Sequence, residues 1–165
     1  MSYRMTAALA GFCALSLSLP AISAETEMRI PMQEGKATTF YVQASVGTLS
    51  TMNFMVDTGS GYMTINEETL AGLQANEQAV YQRDLIGVLA NGTEMRVPVY
   101  QLSSIKLGDC RLNDIEAAVF PGNTRQILGL SVLKQAGAFT FSFDPPQLVL
   151  NRCPQTDLIA AELEH

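Results

Sequence analysis

Histidine is nearly missing from this chain: the single one, His165, is the last residue. That scarcity excludes more chemistry than most motifs can add. Ser-His-Asp and Cys-His sites need an imidazole as base, and histidine-rich zinc sites need several. Tryptophan is absent, and lysine and arginine together number 10 against 16 acids, a formal net charge of −6. The few cations are scattered, without the basic cluster that holds nucleic acid or an anionic membrane surface. No Gly-x-x-x-x-Gly-Lys-Ser/Thr phosphate loop occurs, and Gly59-Ser60-Gly61 alone does not make a nucleotide-binding loop. Hydrolytic chemistry is left to carboxylates, a lone serine or threonine, or a lysine.

Cysteine is scarce too, and its placement is informative. Cys13 lies in an N-terminal stretch that opens with Arg4, runs through "AALAGFCALSLSLPA" and ends on the small residues of "AISA". That is the layout of a secretory signal peptide, with a cut expected after Ala24. The alternative is an uncleaved anchor, for which the apolar run is short. Bulky Phe12 ahead of Cys13 argues against a lipoprotein signal. The expected location is therefore periplasmic or secreted, or membrane-anchored facing the periplasm if the segment is retained, and a membrane is a partner only then. Export leaves Cys110 and Cys153, either bonded as a disulfide or buried as two free thiols; spacing alone does not choose.

A length of 165 residues suits one domain. The expected division is a signal peptide or anchor at 1–24, a lead segment at 25–37, the domain at 38–153 and an acidic tail at 154–165. From Thr38 onward the pattern is mostly that of strands. "TTFYVQASVGT" alternates, and "STMNFMVDTG" follows it across a turn near Gly47. "NEETLAGL" reads as a short helix capped by Asn66, with Glu67 and Glu68 in its first turn. "VYQRDLIGVLANGTEMRVPVYQLSSIKLG" reads as a long hairpin, in which Asn91-Gly92 predicts a two-residue turn. "SSIKLGD" and "RLNDIEAAVF" are separated by a tight turn near Gly108-Asp109. "RQILGLSVLKQAG" predicts a buried strand running into a short helix ended by Gly137. "FTFSFDPPQLVL" closes the domain as a hairpin bent at Asp144-Pro145-Pro146.

One acid stands out against that background. In "FMVDTGSGYMTI", Asp57 follows a strongly apolar strand and is followed by Thr58, Gly59 and Ser60. A glycine two residues after the acid permits a sharp turn and the close approach of another backbone, presenting the carboxylate at a loop tip. The plainer alternative is an Asx turn, in which the aspartate bonds only its own backbone. Asp109, Asp114 and Asp144 have the settings of turn and surface residues.

Taken in order, "FMVDTGS", the Asn91-Gly92 hairpin, "IKLGD" with "LNDIEAAVF", "ILGLSVL" and "FSFDPPQLVL" resemble the retropepsin-like aspartic proteases, in particular their small exported bacterial members. The resemblance spans roughly residues 38–152. It implies an all-β fold, a closed barrel with a flap hairpin and one or two short helices. It further implies that Asp57 is the catalytic aspartate, that Thr58 ties two active-site loops together across a dimer, and that Gly59 lies close to substrate and partner loop. Ser60 matches the pepsin-like form of the motif, whereas Gly61 departs from the usual Ser, Thr or Asp. Ile127, Leu128 and Gly129 would brace the catalytic loop, and Ala90, Asn91 and Gly92 would form the flap tip. The implied activity is peptide-bond hydrolysis in a homodimer, on an extended peptide or protein substrate, without metal or organic cofactor. The rival is a catalytically silent module of the same fold that binds peptides or a partner. A Ser60 hydroxyl donating to the ionised carboxylate favours its charged form. An acidic optimum is therefore expected, lower for wild type than for Ser60→Ala.

Overall fold

The structure is a computed structural model that describes residues 27–88, 91–151 and 153. The expected signal peptide and acidic tail lie outside the described residues.

Alternating apolar residues become a barrel wall where one strand face can be buried. β1 (Met28–Pro31) and β2 (Gln33–Glu34) precede β3 (Phe40–Val46), whose Phe40, Val42, Ala44 and Val46 point inward. β3 pairs antiparallel with β4 (Met52–Val56), and Gly47 between them has φ +56°, a conformation that favours glycine. β5 (Met63–Asn66) leads directly into α1 (Glu67–Ala75). The Asn66 side chain accepts from the Thr69 N–H at 2.9 Å, so the helix starts where its cap residue predicts. β6 (Ala79–Val88) and β7 (Glu94–Leu107) form the long hairpin, and β8 (Cys110–Phe120) runs back along β7. β9 (Ile127–Leu128), the one-turn helix α2 (Leu130–Leu133), β10 (Phe139–Phe143) and β11 (Pro146–Leu150) complete the chain.

The large sheet runs β2-β3-β4-β9-β5-β8-β7-β6, and a further pairing of β3 with β7 brings it back on itself. Six strands thus form a ring around a core that includes Phe54, Met63, Ile65, Leu102, Ile105 and Ile115. β2 and β6 remain outside that ring as edges, and β6 is the outer arm of the flap. The fold is all-β and retropepsin-like, as the family resemblance implies.

Four local expectations change. Residues 28–34, expected as a lead segment, belong to the domain: β1 pairs antiparallel with β11, and Ile30 and Met32 are buried. "SSIKLGD" is not a separate strand but the end of β7, which runs unbroken from Glu94. The flap turn is longer than two residues, because β6 ends at Val88 and pairs there with Glu94. Gly92 in that loop has φ +82°, and the Asn91 side chain accepts from the Thr93 N–H at 3.0 Å, an Asx turn inside a wider bend. α2 stops at Leu133; Gly137, at φ +72°, ends the turns that follow it.

The second sheet, β1-β11-β10, packs Leu148 and Leu150 into the same core. Its hairpin turns at Asp144-Pro145, a cis peptide bond, with Phe143 opposite Pro146. Cys110 and Cys153 are joined as a disulfide, their Cα atoms 5.5 Å apart. The bridge ties the β7–β8 turn to the chain beyond β11.

Candidate active site

Asp57 is delivered by β4, whose Phe54 is fully buried. β4 lies parallel to β9, with Met55 opposite Ile127 and Val56 opposite Leu128. The Met55 N–H donates to the Gln126 carbonyl at 3.0 Å and the Asp57 N–H to the Leu128 carbonyl at 3.2 Å. Ile127 and Leu128 therefore lie alongside the last residues before the carboxylate. The side chain of Asp57 is half-buried, and its Oδ1 accepts from the Gly59 N–H at 2.9 Å. That contact is the Asx turn; the Asp57 carboxylate also opens onto a cleft, so the two readings of this acid coexist.

The rest of the loop is laced to α2. The Ser60 carbonyl accepts from the Leu130 N–H at 2.9 Å and the Gly61 carbonyl from the Ser131 N–H at 3.0 Å. The Ser131 hydroxyl accepts from the Met63 N–H at 2.8 Å and donates to the Glu116 carbonyl at 3.0 Å. Gly129 is required at this junction by closeness and not by conformation, since its φ is −95°. A Cβ there would fall on the Tyr62 carbonyl and 2.9 Å from the Ser60 carbonyl oxygen. Gly61 is the opposite case, because a Cβ there meets nothing within 4 Å.

The Ser60 expectation is corrected. Its hydroxyl donates to the Tyr62 carbonyl at 2.8 Å and not to the carboxylate. The donor to Asp57 is the Gly59 backbone, so the Ser60 route to an acidic optimum is removed. Thr58 and Gly59 are exposed at the loop tip. Asn91 and Gly92 are exposed at the far end of the flap, while Ala90 lies outside the described residues. The disulfide sits at the other end of the β7–β8 hairpin and takes no part in this site.

Between the Asp57 loop and the flap arms lies an open cleft of about 610 Å³. Leu85, Val97 and Phe120 give it apolar walls, and Tyr62 and Thr64 add hydroxyls. Asp57 is the only carboxylate in this lining among the described residues.

Several contributors escaped the sequence reading. Ser131 is a plain serine in a one-turn helix, and only its position just after Gly129 hinted at a role. Tyr62 stands three residues beyond Gly59. Arg83 and Glu116 form a pair behind it, with the guanidinium donating to both carboxylate oxygens at 2.6 and 2.9 Å and to the Tyr62 hydroxyl at 3.1 Å. The charge-assisted bonds from Arg83 hold the Glu116 carboxyl below its ordinary value, and Glu116 in turn raises Arg83.

With this geometry in place, comparison with known proteins gives a family. A family model described as "Aspartyl protease" matches residues 42–132, more than half of the chain, and the chain belongs to that family. Among solved structures, a retropepsin-like aspartic protease from Rickettsia conorii is similar, with TM-score 0.55 and 24% sequence identity. The match covers 77% of this chain and 91% of that one, and at this identity it speaks for the fold alone. No curated protein matches the sequence.

Proposed function

We propose that the protein is an aspartic endopeptidase that works as a homodimer, with an Asp57 from each copy facing one water. The observation that carries this reading is the setting of Asp57. Among the described residues it is the single carboxylate lining an apolar-walled cleft, at a loop tip whose Thr58 and Gly59 are exposed. The reaction requires two carboxyl groups. The ionised one takes a proton from the attacking water, while the protonated one polarises the scissile carbonyl. Two carboxyls held this close cannot both ionise readily, so together they retain one proton through the acidic range. One chain supplies one half of that pair, and a C2 dimer supplies the other.

An extended peptide lies between the flap and the catalytic floor, added as a strand alongside the sheet edges that border the cleft. Leu85, Val97 and Phe120 favour hydrophobic side chains near the cut. The disulfide between Cys110 and Cys153 supports an exported location, since such bonds persist in oxidising compartments. The test compares wild type with Asp57→Asn on a diverse peptide library from about pH 3 to about pH 7. Cleavage by wild type that falls at least a thousandfold in the variant is the expected outcome. Equal cleavage by both overturns the mechanism; binding without cleavage by wild type turns the reading to a peptide-binding module.

A further inference from the structure

The sheet that walls the cleft carries a polar cluster just beyond its apolar lining. Along β8, Glu116 shares a face with Ala118 and Phe120, which line the cleft, while Ile115, Ala117 and Val119 face the core. Arg83 reaches the same face by a break in β6. Tyr81 pairs with Tyr100 but Arg83 pairs with Val99, so Gln82 is an extra residue, a β-bulge. In an unbroken strand Tyr81, Arg83 and Leu85 would share one side. The bulge instead keeps Tyr81 edge-on to Tyr100, ring centres 5.6 Å apart, and turns Arg83 and Leu85 together toward the cleft side. There the guanidinium fork spans Glu116 and the Tyr62 hydroxyl. Tyr62 lines the cleft, whereas Arg83 and Glu116 stand behind it.

We propose that Tyr62 is a peptide-binding residue in the wall of the cleft, its hydroxyl donating to the bound peptide, and that Arg83 and Glu116 are positioning residues that set it. This rests on the peptide-cleft reading above. Three features support it. The phenol oxygen already accepts an N–H from Arg83, so its own proton is left for an acceptor on the bound peptide. Glu116 is itself fixed, since its carbonyl accepts from Ser131 of the helix that braces the catalytic loop. Arg83 lies two residues before Leu85 on the flap arm, so the same fork joins the flap strand to the floor. The recognised group is a hydrogen-bond acceptor, either a main-chain carbonyl or a side-chain oxygen of the peptide.

The test uses full-length protein carrying Asp57→Asn, which retains peptides uncut, and measures affinity for extended peptides in a double-mutant cycle. Tyr62→Phe and Arg83→Met each weaken binding about tenfold, and together they weaken it by no more than about twofold beyond Tyr62→Phe alone. Arg83→Lys, which keeps the charge but loses the fork, gives an intermediate loss and carries the cycle if Arg83→Met does not fold. A loss confined to peptides with Gln or Glu at one position assigns a side-chain acceptor, and a uniform loss assigns a main-chain carbonyl. Additive losses, no effect of Tyr62→Phe, or no peptide binding at all each overturn the proposal. A coupled cycle in a protein whose wild type cuts nothing keeps this inference and discards the protease.

Discussion

Replacing Gly129 by alanine should damage the site far more than replacing Gly61, although both flank the same loop. At Gly129 the added methyl falls on the Tyr62 carbonyl and within 2.9 Å of the Ser60 carbonyl oxygen, both of them backbone. Neither can swing aside as a side chain would. Relief requires α2 and the Asp57 loop to separate, which breaks the bonds from Leu130 to Ser60 and from Ser131 to Gly61. Two such bonds contribute about 2 kcal/mol together, and overpacking adds about 1–2 kcal/mol. The expected destabilisation is therefore about 3–4 kcal/mol, a fall in melting temperature of roughly 10–15 °C for a domain of this size. A displacement of about 1 Å at Asp57 also lowers kcat/KM about a hundredfold. Gly61→Ala meets nothing within 4 Å and should change stability by less than about 0.5 kcal/mol. Thermal unfolding at one fixed protein concentration, paired with peptide cleavage, reads both effects. A Gly129→Ala protein as stable and active as wild type would refute the reasoning, as would equal damage from the two substitutions.

The Cys110–Cys153 bridge closes a stretch of 43 residues, for which chain entropy gives about 4 kcal/mol. Reduction, or Cys110→Ser with Cys153→Ser, should lower the melting temperature by roughly 15 °C, and a shift under about 3 °C would contradict the estimate. Ser60→Ala removes the bond to the Tyr62 carbonyl and costs about 1 kcal/mol, but leaves the pH–rate profile where it is. A profile displaced by about one pH unit would restore a direct role for that hydroxyl at the carboxylate. Glu116 has its folded value depressed by Arg83, so its contribution is present above the ordinary carboxylate value of 4.5 and lost as pH falls through the lower folded one. Carboxyl NMR should follow Glu116 titrating below that ordinary value in wild type and at higher pH in Arg83→Met, where only the raising effect of burial remains; no difference between the two would dissolve the pair.

What was legible in the sequence was what neighbouring residues decide. Asn66 caps α1 through a bond three residues away, and the alternation of β3 needs only its own side chains. The tetrapeptide around Asp57 was legible because the turn, the glycine and the carboxylate are contiguous. What failed was decided across the chain. β1 contains Pro31 and a single buried residue, Ile30, and becomes a strand only because β11 pairs with it from the far end of the sequence. The bulge at Gln82 exists only in register with β7, so nothing local foretold that Arg83 would turn toward Tyr62. The Asn91-Gly92 rule gave the hairpin but not its width, because the arms pair only as far as Val88 and Glu94. Ser60 carries a hydroxyl whose direction is set by how α2 holds the loop. The choice between a disulfide and two free thiols likewise waited on β1 and β11, which bring the chain end beside the β7–β8 turn.

The claim that matters most is that each active site takes one Asp57 from each of two copies. Wild type mixed with Asp57→Asn in varied ratio, at fixed total concentration and after equilibration, tests it through peptide cleavage. A shared pair predicts activity that follows the square of the wild-type fraction, so that an equal mixture retains about a quarter. Activity that falls in simple proportion to the wild-type fraction would mean that each copy works alone, and would contradict the account.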